Sequence, residues 1–541
     1  MTSLIKKSIL KFLTQFTSNL TPDDIQLSSL KGEAEVRNLE LSTSALQNLL
    51  NIPTWLKVNH AKVNHVGLKI HLMSIQTKPI RITFDHVTLE VEAIQSPRAP
   101  NGPSPLQDNS SGTNNYGLTE SIIEGIRVEI NAVSMTFKSV AFTANVMIQS
   151  VVVFSAKGDW SQTHDLRETR AKTDKEVISR KKIQWMSFRL EATWPDAAPV
   201  KLITNQGEVR IRLRRRLADC VVLANKLEVM LDDLLWILSD RQIQAALLCV
   251  KSLSDAIEAS RRQMMKLQRS NSDMSLASSD ASTAANPENH IQESSQHFSI
   301  NKLDLHICEE SADASSVQLS LYDLSVDLYP ARKAAKSRKE FVPYTSAMMA
   351  RDRWVEPILN VFREDFKLLR EKSKPVERVT KLKENVVILR LRNVDLYQVS
   401  SPTRHNSEGK KLFSFGGKKL NLPSEIPLFH YEATEYYTPD GSDYVLPHNN
   451  QYIQVNAPVI DFDEETVIWM SKILKNASKC INEALVELGI DEEKDASTND
   501  HVDMLVDIIL PSINFGELHL EASSISLTNR FLQKEWLRNF V

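Results

Sequence analysis

Apolar residues alternate along Ile80, Ile82 and Phe84, step by three, and alternate again along Val87, Leu89 and Val91. The doubled run recurs at Ile126, Val128, Ile130 then Val133, Met135, Phe137. It recurs at Val317, Leu319, Leu321 then Leu324, Val326, Leu328, and at Val387, Leu389, Leu391 then Val394, Leu396. Ala144, Val146, Ile148 then Val151, Val153 follows nearly the same scheme. Strict alternation makes one strand face apolar and the other wet. A three-residue step would flip the faces unless one extra residue is bulged out, which restores the apolar side and bends the strand. A strand of ~12 residues spans ~40 Å at ~3.3 Å per residue, well beyond the ~5–6 residues usual in globular domains. The pattern therefore predicts a mainly β chain of long, curved strands, each with one apolar face.

Helices are few. Residues 3–20 read as an N-terminal amphipathic helix, with Ile5, Ile9, Phe12 and Phe16 on one face and Lys6, Lys7 and Lys11 giving it positive charge. A second helix is predicted from Ser239, with Gln242 completing a capping box, a third near 350–371 and a fourth over 466–488. The entries to the second and fourth resemble each other: Leu227–Leu238 and Val459–Met470 each run strand, acidic residues, apolar turn, tryptophan, so that Trp236 and Trp469 correspond. This suggests a loose internal repeat of strands closed by a helix. Segment 96–116 is rich in Pro, Gly, Asn and Ser, 268–296 is dominated by Ser, Asp and Asn, and these, with 400–424, read as connecting loops.

The chemistry-bearing motifs are absent. There is no phosphate-binding glycine loop, GxSxG, HExxH or CxxC, and 14 glycines in 541 residues is low. No catalytic, metal or cofactor residues are expected, and the chain reads as no enzyme. His60, His65 and His71 fall on different strand faces, which disfavours a metal site. Asp232 with Asp233, and Asp463 to Glu465, read as charges at helix starts. Arg210, Arg212 and Arg214 take the wet face of a strand whose other face holds Val209, Ile211 and Leu213. That arrangement suits solvent, acidic lipid or a partner better than nucleic acid. The net charge of -3 exerts no global pull on polyanions. Four scattered cysteines fit a reducing compartment. No run approaches the ~18 apolar residues of a spanning helix, and the N-terminal lysines interrupt any signal-peptide core. Membrane contact is thus expected to be peripheral. Long apolar strand faces with so few helices must close into a barrel, pair into a sandwich or hold a ligand.

Family resemblance bears on that choice. The stretch Leu30-Lys31-Gly32-Glu33-Ala34-Glu35-Val36-Arg37-Asn38-Leu39-Glu40-Leu41, followed by Pro53-Thr54-Trp55-Leu56, resembles the chorein N-terminal region of bridge-like lipid transfer proteins. Asn101–Pro105, Leu202–Gln206, Leu231–Trp236, Thr434–Tyr437 and Pro439–Gly441 resemble group 3 of that family. The resemblance implies an elongated, repeating β-groove of long, curved antiparallel strands. It implies a passive conduit for glycerophospholipids between organelle membranes at contact sites, with this chain as a membrane-proximal N-terminal portion. Residues 1–95 would be the chorein region, 96–116 a flexible loop, 117–267 and 297–490 two further groove modules with closing helices, 268–296 a Ser-rich loop, and 491–541 the start of another module. The groove lining would be Ile80, Ile82, Phe84, Val87, Leu89 and Val91, with Val128, Ile130, Val133, Met135, Val146 and Ile148. Residues Ile5, Lys6, Lys7, Ile9, Lys11, Phe12 and Phe16 would form the membrane or end-cap helix. Group 3 further implies a cytoplasmic protein peripheral to endosomal or lysosomal membranes, with Rab-type GTPases and SNARE-related proteins as partners. The competing expectation is an endosomal tether that binds such proteins and carries no lipid.

Overall fold

The computed structural model describes, with short interruptions, residues 32–98, 124–239, 293–334, 383–399, 410–437, 449–460, 503–515 and 518–528, together with residues 17, 242 and 341. The chain forms two compact units. The first comprises 1–223, 236–290 and 477–491, and the second 224–235, 291–476 and 492–541. Both are built on strands.

The first unit contains β1 (Glu33–Glu40), β2 (Leu56–Lys69), β3 (Arg81–Ala93), β4 (Arg127–Lys138), β5 (Thr143–Ser155), β6 (Arg170–Lys172), β7 (Glu176–Trp185), β8 (Ser187–Trp194), β9 (Ala197–Thr204) and β10 (Gly207–Arg216). β11 (Val222–Leu231) leads from it into the second unit, and β12 (Leu234–Ser239) follows. The second unit continues with β13 (Glu293–Cys308), β14 (Ser316–Lys333), β15 (Lys383–Val399), β16 (Lys410–Phe415), β17 (Phe429–Tyr437), β18 (Asn450–Asn456), β19 (Pro458–Ile460), β20 (Asp503–Phe515) and β21 (Leu518–Thr528). Strands β13, β14 and β15 hold 16, 18 and 17 residues, and β14 and β15 are two of those the doubled alternation marked as long.

Pairing in the first unit runs β1–β2–β3–β4–β5. The far edge of β5 is shared: residues 143–149 take β8 and residues 152–155 take β7. β7 then pairs with β10, and β8 with β9. The second unit runs β11–β13–β14–β15–β17–β18–β20–β21. Neighbours are antiparallel except at β3–β4, β11–β13 and β18–β20, which are parallel. A parallel neighbour needs a long return, and each of these follows one. The return after β3 is tied down by Arg98, whose guanidinium donates to the carbonyls of Leu56 (2.8 Å) and Ile52 (2.5 Å).

The three-residue steps are present, in a form that single strands do not disclose. Regular pairing lapses where β1 carries Asn38 and β2 Asn64, β3 Asp85, β4 Asn131 and β5 Ser150. It resumes on the same register, because every strand carries its extra residue at the same level. Asn38 and Ser150 have positive φ (53° and 55°). In the second unit the same row runs Asn301, Asp323 (φ 50°) and Arg392. The bulges therefore align into a transverse crease rather than shifting one strand against the next. Polar side chains hold it together. Asp85 accepts from Asn64 Nδ2 (2.6 Å) and Asn131 Nδ2 (3.0 Å), and those bonds hold its carboxyl below the usual range. Arg392 pairs with Asp323 at 3.2 Å, and Asn301 donates to Asp232 at 3.2 Å.

Several expectations meet a limit or a correction here. Ile5 to Phe16 lie outside the described residues, while Thr17, expected within that helix, makes an isolated β-bridge with Leu41. The helices expected over 350–371 and 466–488 also lie outside. Of the one expected from Ser239, Gln242 is helical, but Leu234–Ser239 is strand. Asp232 and Asp233 accordingly join two strands instead of starting a helix. Short runs of β-branched and apolar residues fit either state, and pairing decides between them.

Candidate functional site: apolar sheet faces

Residues directly opposite in a β pair share a face, so the register maps each face. In the first unit one row runs Leu68, Ile82, Val128, Val153, Ile183, Val209. On the other side of the crease, Val63, Val87, Val133, Ile148 and Phe188 form a second row. All twelve residues read from the sequence as lining fall on this one face or at its margin. Phe84 pairs with Ile130, Leu89 with Met135 and Val91 with Phe137. Met135 pairs with Val146 and Val133 with Ile148, while Ile80 precedes β3. Toward β1 the face is closed: Ile80, Ile82, Val87, Val63 and Leu39 are buried in one cluster. Toward β4 it opens, and Val128, Ile130, Val133 and Met135 are all half-buried. The sequence reading put Val209 on an apolar strand face but assigned neither it nor Ile183 to the lining; both extend the row onto β7 and β10, whose charged strands lack the doubled pattern.

In the second unit one row runs Val229, Phe298, Val326, Leu389, Tyr431, Ile453, and a second Leu231, Ile300, Leu324, Leu391, Phe429, Val455. Six neighbouring strands thus share an apolar face. Burial of its two sides is inverted relative to an ordinary sheet. The apolar face is half-buried over most of its extent, with Ile300 and Val317 buried and Val387 36% exposed. The opposite face is covered and carries Asp327, Glu384, Arg390, His430, Glu432 and Thr434, all buried. A small apolar cluster of Tyr329, Phe341, Val386 and Ile388 lies among these charges. Phe341, from the segment after β14, stacks on Tyr329 at 4.2 Å and under the Arg332 guanidinium at 4.5 Å.

The charges on the covered side are paired. Arg332 reaches Glu384 at 3.0 Å, and Asp327 takes both His297 Nδ1 (2.7 Å) and the Arg390 guanidinium. Buried charges need such partners, so this face is a built interior. The apolar face has no such cover from the described residues.

Polar groups interrupt the apolar face of the first unit on β7 and β10. Lys181 lies between Ile183 and Ser179 on β7, and its Nζ donates to the Ile126 carbonyl at 2.9 Å. Burial, helped by the nearby Arg170 charge and opposed by Glu124, pushes its amine down to about 8. Glu124 anchors the segment before β4 by pairing with Arg170 at 3.5 Å and with the Arg215 guanidinium. Among the described residues no cluster of His, Cys, Asp or Glu has the geometry of a metal site. No helix among them is long and apolar enough to cross a membrane.

Comparison with known proteins bears on such a surface. A family model described as Bridge-like lipid transfer protein family member 3A/B matches residues 1–380 and 373–521. Bridge-like lipid transfer protein family member 3B of Mus musculus is 33% identical over 94% of this chain and 40% of its own length. Its Homo sapiens counterpart is 33% identical over 96% of this chain and 40% of its own length. Family member 3A of Homo sapiens is 31% identical over 95% and 41%. The chain spans about two fifths of these relatives.

Proposed function

We propose, from the premise that this chain belongs to the bridge-like lipid transfer protein family of members 3A and 3B, that its open apolar faces carry the acyl chains of glycerophospholipids. The observation behind this reading is the inverted burial of the second unit, with a mostly half-buried apolar face and a fully buried charged one. An apolar surface of that extent left to water is unfavourable by roughly 25 cal/mol per Å², and acyl chains laid on it remove the penalty. Each methylene transferred from water contributes roughly 0.8 kcal/mol. A lipid moving along the rows exchanges one apolar contact for another, so its desorption barrier falls. Headgroups stay at the wet margin, where no burial of phosphate is needed.

The finer reading is a passive conduit at contact sites between endosomal or lysosomal membranes and a second organelle, with peripheral attachment. In this proposal the twelve lining residues of the first unit hold acyl chains, and so, on their own unit, do the apolar rows of the second. The test is lipid content. The purified chain is expected to release several phospholipids per molecule on extraction, and native mass spectrometry should resolve the multiple occupancy. Val128→Asp, Ile148→Asp and Leu389→Asp together should strip most of that lipid and leave the far-ultraviolet circular dichroism of strands in place. A wild-type chain free of lipid would support the tether instead, and a fixed stoichiometry of one would support a shuttle.

A further inference from the structure

We propose that the wet face of β7 and β10 in the first unit docks an acidic, extended polypeptide segment of a partner protein. The register sets Arg210 opposite Lys182 and Arg212 opposite Arg180. Like charges directly opposite in a sheet, with Cβ atoms about 5 Å apart, destabilise it. Two flanking sites are relieved from within. Glu208 lies between Lys182 and Arg210, 2.5 Å from each. Glu176 pairs with Arg214 at 3.7 Å. The central pair is not: neither Arg180 nor Arg212 has a carboxylate partner among the described residues, and Arg212 is exposed. Arg210 is held in place by Trp160, whose ring centre is 5.5 Å from the guanidinium carbon, and its Nε is buried with no acceptor. Six cations on this face, counting Arg216 opposite Glu176 and paired with Asp219 at 3.0 Å, thus stand against Glu176, Glu208 and Asp219, in a chain whose net charge is -3.

The geometry favours a peptide over a bilayer. Lys182 and Arg210 are recessed, with side chains 15% and 29% exposed, so a flat surface does not reach them. A carboxylate on a side chain does, and a guanidinium binds carboxylate in bidentate fashion. Along β10 the alternate arginines recur at about 6.8 Å, the repeat of alternate carboxylates on an extended chain.

The experiment uses the full chain, a fluorescent peptide of alternating glutamate and serine, its glutamine counterpart, and phosphatidylcholine vesicles with and without phosphatidylserine. The glutamate peptide is expected to bind and the glutamine peptide not. In the double variant R180Q/R212Q binding should weaken by roughly tenfold to a hundredfold, the range for a lost charge-assisted pair. The variant's Tm should stay level or rise, because a like-charge pair has been removed, and its lipid content should be unchanged. Equal peptide affinity of variant and wild type would overturn the proposal, as would no peptide binding by either. Capture of phosphatidylserine vesicles in place of the peptide, abolished in the variant, would assign the face to a membrane and overturn it equally.

Discussion

At the scale of single residues, two buried groups make opposite predictions. Asp327 is 4% exposed and serves both His297 and Arg390. Asp327→Asn leaves the Arg390 charge buried without its counter-ion, which should cost about 3 kcal/mol in a urea titration. Lys181 is a group the fold tolerates rather than needs. Its amine keeps a proton to pH 10.5 in the unfolded chain but only to about 8 in the folded one. Below pH 8 both states are protonated and the folded state bears the full desolvation penalty. Between pH 8 and 10.5 the unfolded state binds more protons, so stability rises with pH, by at most on the order of 3 kcal/mol. Lys181→Met should be no less stable than wild type at pH 7 and should lose this rise, which paired denaturation curves at pH 7 and 9.5 would reveal. Neither residue stood out in the sequence. A lone lysine or aspartate in an alternating run looks like the wet face, and only the pairing shows which side is covered.

At the scale of elements, the crease was half legible. The step from Phe84 to Val87 called for an extra residue, and the recurrence of that step in five strands was visible. What the sequence could not show is that the steps align, because alignment depends on register. The aligned row also explains the residue types: Asn38, Ser150 and Asp323 sit at positive φ, where small polar residues are tolerated and β-branched ones are strained. Ser150→Gly should therefore be nearly neutral, whereas Ser150→Val should lose roughly 1–2 kcal/mol in thermal unfolding, even though Ser150 is exposed. The entry at Trp236 was misread for the complementary reason. Six residues of LLWILS suit helix or strand, and pairing of β12 with β9 settled the matter.

At the scale of the whole chain, the parallel joints organise the sheets. Antiparallel strands alternate in direction, and a parallel neighbour at β3–β4, β11–β13 and β18–β20 lets the next run begin with the direction of the last. The apolar rows pass through these joints unbroken: Ile82 meets Val128, and Val229 meets Phe298. Loss of an entire run between two joints would leave like-directed strands with matching faces. A deletion of that kind should be better tolerated than removal of a single strand, which reverses every later one. Comparing the soluble yield of the two deletions would check this.

The rows of the second unit, without cover from the described residues, also carry a consequence for the empty protein. On the proposed function, a surface that is wetted by hydrocarbon would make the cargo part of the solubilising machinery. Stripped of lipid, copies of the chain should seek one another or any detergent at hand, so delipidation should appear first as a change in hydrodynamic size. The state with nothing aboard would then be the sticky one, and handover of the last lipid the step most in need of a receiving membrane nearby.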